Sequence, residues 1–186
     1  MKIVDQYNQP LANVVVGFTH ADNKSPANYL AIMDQVDKQF VPHVLIIDEG
    51  QRVQFPNSDN IRHHVYSFSK AKPFEIKLYS GTPSNPVQFN DSGLVALGCN
   101  IHDQMIGYIY VRPTNERAIL SNQLGEVEIP KLSEVQIWHP KQQGRVDTRQ
   151  RIELPKAAWQ EEHYQITLPI QEVMPAKSNK FKSRFK

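Results

Sequence analysis

The sequence has 186 residues, 40% of them hydrophobic, which is enough for one large domain or two small ones with a real core. Its formal net charge of +2 is too small to indicate nucleic-acid binding. A single cysteine excludes an internal disulfide framework. No run of about 18 apolar residues is present, so the sequence predicts no membrane-spanning helix.

Short apolar segments separated by turn residues predict β-strands along most of the chain. Residues 1–20 are expected to form one or two strands, followed by a polar connection. A denser β region runs from residue 29 to residue 112, where closely spaced strands are typical of a sandwich or barrel. Near its end, the alternation of Tyr108 and Tyr110 with Ile109 predicts that the tyrosines face solvent.

A polar segment that contains Pro113 predicts a domain boundary after Arg112. Residues 114–172 then hold about five further predicted strands, among them residues 126–129 and 135–138, and a helical turn within residues 155–162. The last segment, residues 175–186, has five basic residues and no acidic one, and is predicted to be disordered. The first five residues lack an apolar segment and a cleavage site. We therefore expect either a cytosolic protein or a leader that is absent from this sequence.

The one cysteine lies beside two other side chains that bind soft metals. Cys99 is followed by His102, and His102 is followed three residues later by Met105. A thiolate, an imidazole and a thioether on one tight loop suit a copper ion that cycles between Cu(I) and Cu(II). A second imidazole is needed, and His63 and His64 are the upstream candidates. Because neighbouring residues of a strand point to opposite faces, only one of them can reach the metal.

Each of these residues also has a simpler structural interpretation. A lone cysteine in a β protein is usually a small buried hydrophobic residue, and a methionine after a loop often fills a core. The shared loop of Cys99, His102 and Met105 favours metal binding instead. Two imidazoles and a thiolate in one plane, with a distant axial methionine, describe a blue-copper electron-transfer site.

This pattern resembles the cupredoxins. The interval from Cys99 through His102 to Met105 has the amicyanin spacing, whereas plastocyanins have a longer interval between the histidine and the methionine. The upstream match comprises Phe40-x-Pro42, Gly50 and Val53-x-Phe55-x-Asn57. The blocks at residues 62–69 and 98–103 are also shared with proteobacterial cupredoxin-containing proteins labelled for methylamine utilisation, a label that does not itself indicate that pathway.

The resemblance covers about residues 29–112 and implies a fold and a ligand set. The implied fold class is all-β, a Greek-key β-sandwich, with an additional small β-sandwich-like region from the flanking segments. The implied copper ligands are His63, Cys99, His102 and Met105, with Met105 as the weak axial ligand. The family usually has His-Asn where this chain has His63-His64, which leaves His64 in the place of the asparagine. His102 is then expected near an apolar surface patch to which Ile101, Met105 and Ile106 contribute.

The flanks resemble a different fold family, the carboxypeptidase regulatory-like β-sandwiches, at residues 4–16 and 121–138. We therefore expect residues 1–20 to pair with residues 114–172 in a second small β-domain, with the cupredoxin region inserted between them. Strands that cross between the two flanks would support this hypothesis. Residues 1–20 packed only on the cupredoxin region would contradict it.

The other histidines have less specific interpretations. His43 is expected to be a partly exposed strand residue, and the alternative is a second metal site or a partner contact, as for His64. His139 follows Trp138 at a predicted strand end, and His20 and His163 are predicted to be surface residues.

The sequence thus predicts a mononuclear type 1 copper protein that binds one copper ion and carries single electrons between redox partner proteins, not an enzyme. A multicopper oxidase or nitrite reductase would need further histidine-rich sites. The alternatives are a periplasmic protein that binds and delivers Cu(I), and an interaction module in which copper is structural or absent. The basic tail suits an acidic redox partner or an anionic membrane surface. Because copper is restricted in the cytosol, the expected location is the periplasm, with the leader removed.

Overall fold

The computed structural model describes residues 1–19, 29–159 and 164–171, and almost all of its regular structure is β-strand. The elements in these ranges are β1 (Lys2–Val4), β2 (Val15–Thr19), β3 (Ala31–Ile32), β4 (Asp34–Val36), β5 (Gln39–Val41), β6 (Val44–Asp48), β7 (Arg52–Gln54), β8 (His63–Ser67), β9 (Phe74–Tyr79), β10 (Val87–Gln88), β11 (Gly93–Gly98), β12 (Ile106–Arg112), β13 (Glu116–Leu120), β14 (Glu134–Trp138), β15 (Gln150–Glu153), a 3₁₀ turn (Lys156–Trp159) and β16 (Gln165–Thr167). The predicted all-β class and the predicted helical turn are confirmed. Among these residues no helix has the length and apolar character needed to cross a bilayer.

The first sandwich is built from residues in the middle of the chain. Its main sheet has five strands in the order β6-β12-β11-β8-β9, in which β6 and β12 are parallel and the other neighbours are antiparallel. A second layer consists of the sheet β10-β7-β3 and the hairpin β4–β5. The core between the layers includes Phe40, Phe55, Phe89, Ile109 and, at one end, Cys99 and Met105.

The second sandwich combines strands from both ends of the chain. Strand β2 lies between β13 and β14 in a four-stranded antiparallel sheet, and β15 completes the order β13-β2-β14-β15. Strand β1 pairs in parallel with β16, and the core on this side includes Ile3, Val16, Ile137 and Ile166. The flanks are therefore joined by crossing strands.

A third apolar layer joins the two sandwiches. Alternation along β12 sends Ile109 and Val111 into the first core and sends Tyr108 and Tyr110 to the opposite face. That face packs against Val15 and Trp138 of the second sandwich, and only 2% of Tyr110 is exposed. The prediction that the tyrosine pair faces solvent is therefore wrong, because a second sheet covers the face that alternation alone assigns to water.

A buried polar cluster stabilises the same interface. The Tyr110 hydroxyl donates to the Glu116 carboxylate, and Arg149 donates to both groups. Burial and the negative charge of Glu116 raise the pKa of Tyr110, so the phenol stays protonated. Gly17 makes room for the acid, since a Cβ at this position would lie 2.7 Å from Glu116 Oε1.

The expected strand at residues 126–129 is also wrong, because this segment forms only an isolated bridge between Glu126 and Lys2. The backbone around this segment forms hydrogen bonds with the N-terminal residues instead. Ile3 N–H donates to the Gly125 carbonyl at 2.7 Å, and Val127 N–H donates to the Met1 carbonyl at 2.9 Å. His20, His163 and the basic segment 175–186 lie outside the described residues.

Candidate metal centre

Three strands bring the predicted ligands to one end of the first sandwich. Cys99 directly follows β11, and the loop from Cys99 to Met105 leads into β12, which is antiparallel to β11. His63 is the first residue of β8, and β8 pairs with β11 at Tyr66 and Gly98. Because β8 and β11 are antiparallel neighbours, the first residues of β8 lie next to the last residues of β11, at one end of the sheet.

The loop between Cys99 and Met105 is closed by its own backbone. Met105 N–H donates to the His102 carbonyl at 2.8 Å, and Ile106 N–H donates to the Gln104 carbonyl at 3.1 Å. These bonds turn the chain back toward the sandwich within a few residues. The turn brings the imidazole of His102 close to the side chain of Cys99.

The donor atoms of three predicted ligands converge. Cys99 Sγ lies 3.9 Å from His63 Nδ1 and 3.9 Å from His102 Nδ1, and the three donor atoms all lie within 4.8 Å of one another. A metal about 2.3 Å from sulfur and about 2.0 Å from each nitrogen would separate sulfur from nitrogen by about 3.7 Å at trigonal angles. The observed spacing and the donor types therefore fit one copper ion in a type 1 ligand set.

The three donors differ in their access to solvent. His63 is 0% exposed and Cys99 is 3% exposed, whereas His102 is half-buried. The rings of His63 and His102 have centroids 5.0 Å apart and an interplanar angle of 60°. Two donors are therefore held inside the protein, and the third connects the site to the surface.

Met105 lies in the same core as Cys99 and is 1% exposed. The expectation that it contributes to the apolar surface patch is therefore wrong, because the end of the loop packs its side chain into the core. Met105 and Cys99 line a groove of about 470 Å³ that also contains Tyr66 and the exposed ring of Phe68. The axial role of Met105 stays a prediction.

A carboxylate that the sequence interpretation missed holds the first histidine. Asp59 Oδ2 lies 2.6 Å from His63 Nε2, which leaves Nδ1 of the same ring directed at Cys99. The same carboxylate accepts the backbone N–H groups of Asp37 at 2.7 Å and Lys38 at 2.9 Å. Such a carboxylate fixes the tautomer and the orientation of a ligand histidine. An acidic residue four positions before the histidine was the available signal.

The electrostatics of Asp59 reflect these bonds. Burial acts to raise the pKa of Asp59, but the hydrogen bonds from Lys38 N–H, His63 and Asp37 N–H lower it below its ordinary value. The loop itself is held by Asn57, whose amide donates to the Ile61 carbonyl at 2.8 Å and whose oxygen accepts from Asp59 N–H at 3.1 Å. The carboxylate therefore stays ionised on a fixed loop.

The other candidate histidines lie elsewhere. His64 points away from the cluster, and its Nε2 lies 2.8 Å from Glu75 Oε1. His43 is exposed, and its ring packs edge-on against Tyr108 with centroids 5.5 Å apart. Buried His139 accepts the Lys141 N–H at 3.2 Å. Within residues 1–19, 29–159 and 164–171, His63, Cys99 and His102 form the one group of three potential metal donors.

Comparisons with known proteins give matches only among solved structures; no family model and no curated protein matches the chain. A Cu-containing nitrite reductase (NirK) from Thermus scotoductus SA-01 is 23% identical over 51% of this chain, with a TM-score of 0.43. The match spans only 25% of that reductase. Amicyanin from Paracoccus versutus is 16% identical over 52% of this chain and 97% of its own length, with a TM-score of 0.38. A purple cupredoxin from Nitrosopumilus maritimus is 19% identical over 46% of this chain and all of its own length, with a TM-score of 0.39.

These similarities concern the fold of about half of the chain. The first sandwich is an all-β fold of two layers, as the sequence predicted. Its end brings together two histidines and a cysteine, a donor set that could bind one copper ion.

Proposed function

We propose that this protein is a mononuclear type 1 copper protein that carries single electrons between redox partners. The convergence of His63, Cys99 and His102 on one point is the observation that carries the proposal. A bound copper ion would supply the one-electron chemistry, and a thiolate with two imidazoles suits both of its oxidation states.

The surrounding residues give each donor a separate task. His63 is fixed by Asp59, and Cys99 is buried in the core, so neither donor can move far when the charge of the site changes. A rigid, dry site limits the reorganisation that accompanies electron movement. His102 is the half-exposed donor, and the neighbouring Ile101 and Ile106 are 53% and 45% exposed. We assign electron entry and exit to this apolar surface.

Delivery of Cu(I) is the second candidate, because the same soft donors would serve it. Transfer of the metal would require a partner ligand to reach the site. The burial of His63 and Cys99 favours an ion that stays bound over one that is handed on.

The cellular setting is part of the same proposal. We place the protein in the periplasm because copper is restricted in the cytosol. The basic segment 175–186 supports a partner with an acidic face or contact with an anionic membrane surface. A link to methylamine utilisation rests only on the shared sequence blocks.

The domain organisation is also proposed. We assign residues 29–112 to the cupredoxin domain, with residues 1–20 and 114–172 forming the flanking β-domain. The pairing of β1 with β16 and of β2 with β13 and β14 supports this assignment.

The first test is the visible spectrum of the protein loaded with Cu(II) and then reduced with ascorbate. We expect an intense band near about 600 nm that bleaches reversibly, because a thiolate bonded to Cu(II) absorbs there. Cys99→Ser should abolish the band. The matched pair His63→Asn and His64→Asn should separate the two histidines: the first change removes the blue site and the second retains it. A protein that binds Cu(II) without the band would contradict the proposal and favour Cu(I) delivery.

Met105 is tested separately by Met105→Gln. An amide oxygen is a harder ligand than a thioether, so the variant should keep copper and stabilise Cu(II), which lowers the reduction potential. Cyclic voltammetry of the two proteins measures the shift. An unchanged potential would argue against an axial methionine.

A further inference from the structure

A cleft opens where the metal-binding loop meets the second sandwich. It has a volume of about 530 Å³, and we call it the interface cleft. Its wall is formed by Lys38 from the β4–β5 turn, His43, Gln104 and Ile106 from the metal-binding loop and the start of β12, Tyr108, and Lys141 from the flanking sandwich. It is therefore a joint product of the copper-binding region and the flanks.

The interface cleft has an excess of positive charge. Lys38 and Lys141 are exposed, and neither forms an ion pair with another residue in the described part of the chain. Asp37 is the one carboxylate among the residues that line it. Although His43 is exposed as a whole residue, partial burial of its ring lowers its pKa, and nearby Lys141 acts in the same direction against a backbone hydrogen bond at Ile106, so the ring is neutral at pH 7. Two ammonium groups thus face one carboxylate.

Hydrogen bonds hold both lysines at defined places. Lys38 N–H donates to Asp59, the carboxylate that also contacts His63, so the turn that bears Lys38 is fixed to the metal centre. Lys141 N–H donates to His139, and the Lys141 carbonyl accepts from Gln171 N–H at 2.7 Å. The backbone segments that carry the two lysines are therefore fixed relative to the metal-binding loop.

We propose that the interface cleft is the docking site for an acidic face of the redox partner, with carboxylates seated between Lys38 and Lys141. Charge complementarity selects the partner, and the 45% exposed side chain of Ile106 offers an adjacent apolar contact. This inference rests on the proposed function, because it names the partner of the same copper site.

A redox-inert anion maps the cleft without electron transfer. The probe is hexacyanochromate(III), a paramagnetic trianion, added to ¹⁵N-labelled, copper-loaded protein in the diamagnetic Cu(I) state. We expect the strongest broadening at the backbone amides of Lys38, Gln104 and Lys141, and its loss in the double variant Lys38→Ala/Lys141→Ala. The matched control is Lys70→Ala/Lys77→Ala, which removes the same charge at the β8–β9 hairpin, on the opposite edge of the five-stranded sheet. Broadening centred elsewhere, or unchanged by the first double variant, overturns the inference.

Electron transfer is tested with two oxidants of opposite charge. The Cu(I) protein gives one electron to hexacyanoferrate(III), which becomes hexacyanoferrate(II), or to tris(phenanthroline)cobalt(III), which becomes the cobalt(II) complex. At low salt the Lys38/Lys141 double variant should slow the anionic oxidant about three- to tenfold relative to the control variant, without slowing the cationic one. Asp37→Asn, which keeps the turn geometry, should accelerate the anionic oxidant. Equal slowing of both oxidants would mean a disturbed copper site and would contradict the inference.

The two experiments separate this inference from the proposed function. The broadening is measured on the diamagnetic Cu(I) protein and does not depend on the blue band, so a cleft that binds the trianion in a protein whose Cu(II) form lacks that band would contradict only the electron-carrier proposal. A blue protein without broadening at the cleft would contradict only the docking inference.

Discussion

The two sandwiches of this protein use buried polar groups in opposite ways. In the flanking sandwich, the Ser121 hydroxyl accepts from Val14 N–H at 2.9 Å and donates to the Leu11 carbonyl at 2.7 Å, so both of its hydrogen-bond partners are backbone groups. In the cupredoxin sandwich, buried His63 and Cys99 direct donor atoms at each other across 3.9 Å. Buried polar groups normally find hydrogen-bond partners. Donors that face one another around a common point therefore indicate a ligand, whereas donors that face backbone indicate structure.

The sandwiches also differ in what their shared interface supplies. The cupredoxin sandwich contributes tyrosines from the outer face of β12, and the flanking sandwich contributes Trp138 and Val15. Strands β2 and β12 are consequently buried on both faces over most of their length. The flanking sandwich is thus a structural partner of the sandwich that carries the candidate metal site, and three changes test how far this dependence goes.

The largest expected effect follows from Trp138→Ala. Removal of a fully buried tryptophan leaves a cavity and should lower the free energy of unfolding by about 3–5 kcal/mol. Urea unfolding is followed by the copper–thiolate band for one sandwich and by fluorescence of Trp159, the only other tryptophan, for the second. We expect both transitions to move together because the interface couples the sandwiches.

The control is Phe68→Ala, which truncates an 88% exposed ring and should leave both midpoints unchanged. If Trp138→Ala moved the Trp159 transition and left the copper band in place, the two sandwiches would unfold independently.

Acid should affect the flanking sandwich through His139. Burial, and to a lesser extent Lys141, lower the pKa of His139 from 6.5 to about 4. Between pH 6.5 and about pH 4, His139 therefore binds a proton in the unfolded chain but not in the folded chain. The stability contribution of His139 is complete above pH 6.5 and is lost at about 1.4 kcal/mol per pH unit as the pH falls toward 4.

Urea titrations followed by Trp159 fluorescence at several pH values from 7 to 4 measure this slope. His139→Asn retains an acceptor for the Lys141 N–H and should flatten the slope. An equally steep slope in the variant would assign the acid sensitivity to other groups.

The smallest expected effect is confined to the cupredoxin sandwich. Asp59→Asn removes the carboxylate that orients the His63 ring, so Cu(II) should bind about tenfold more weakly and the reduction potential should rise. Competition titration and voltammetry measure the two quantities. Ser58→Ala, a neighbouring change that leaves the bond to His63 in place, is the control. A potential unaffected by Asp59→Asn would assign the carboxylate to loop structure alone.

Much of the metal centre was predictable because its signals are local. The spacing of Cys99, His102 and Met105 is set by one tight loop, so chemistry and proximity are visible together in the sequence. Alternation along β8 also correctly separated His63 from His64. Asp59 was missed because its role depends on bonds to a turn more than 20 residues upstream as well as to a nearby ring.

The sequence by itself determined the all-β class and the candidate donors, because each depends on short-range periodicity, spacing or composition. The pairing of the flanks was expected only from their resemblance to a known fold family. The tertiary structure decided what covers the outer face of β12, since burial of Tyr108 and Tyr110 depends on a sheet formed by the two ends of the chain. It likewise decided the position of Lys38 beside Lys141, about a hundred residues apart in sequence, since only packing of the two sandwiches brings the metal-binding loop against the flanking sheet.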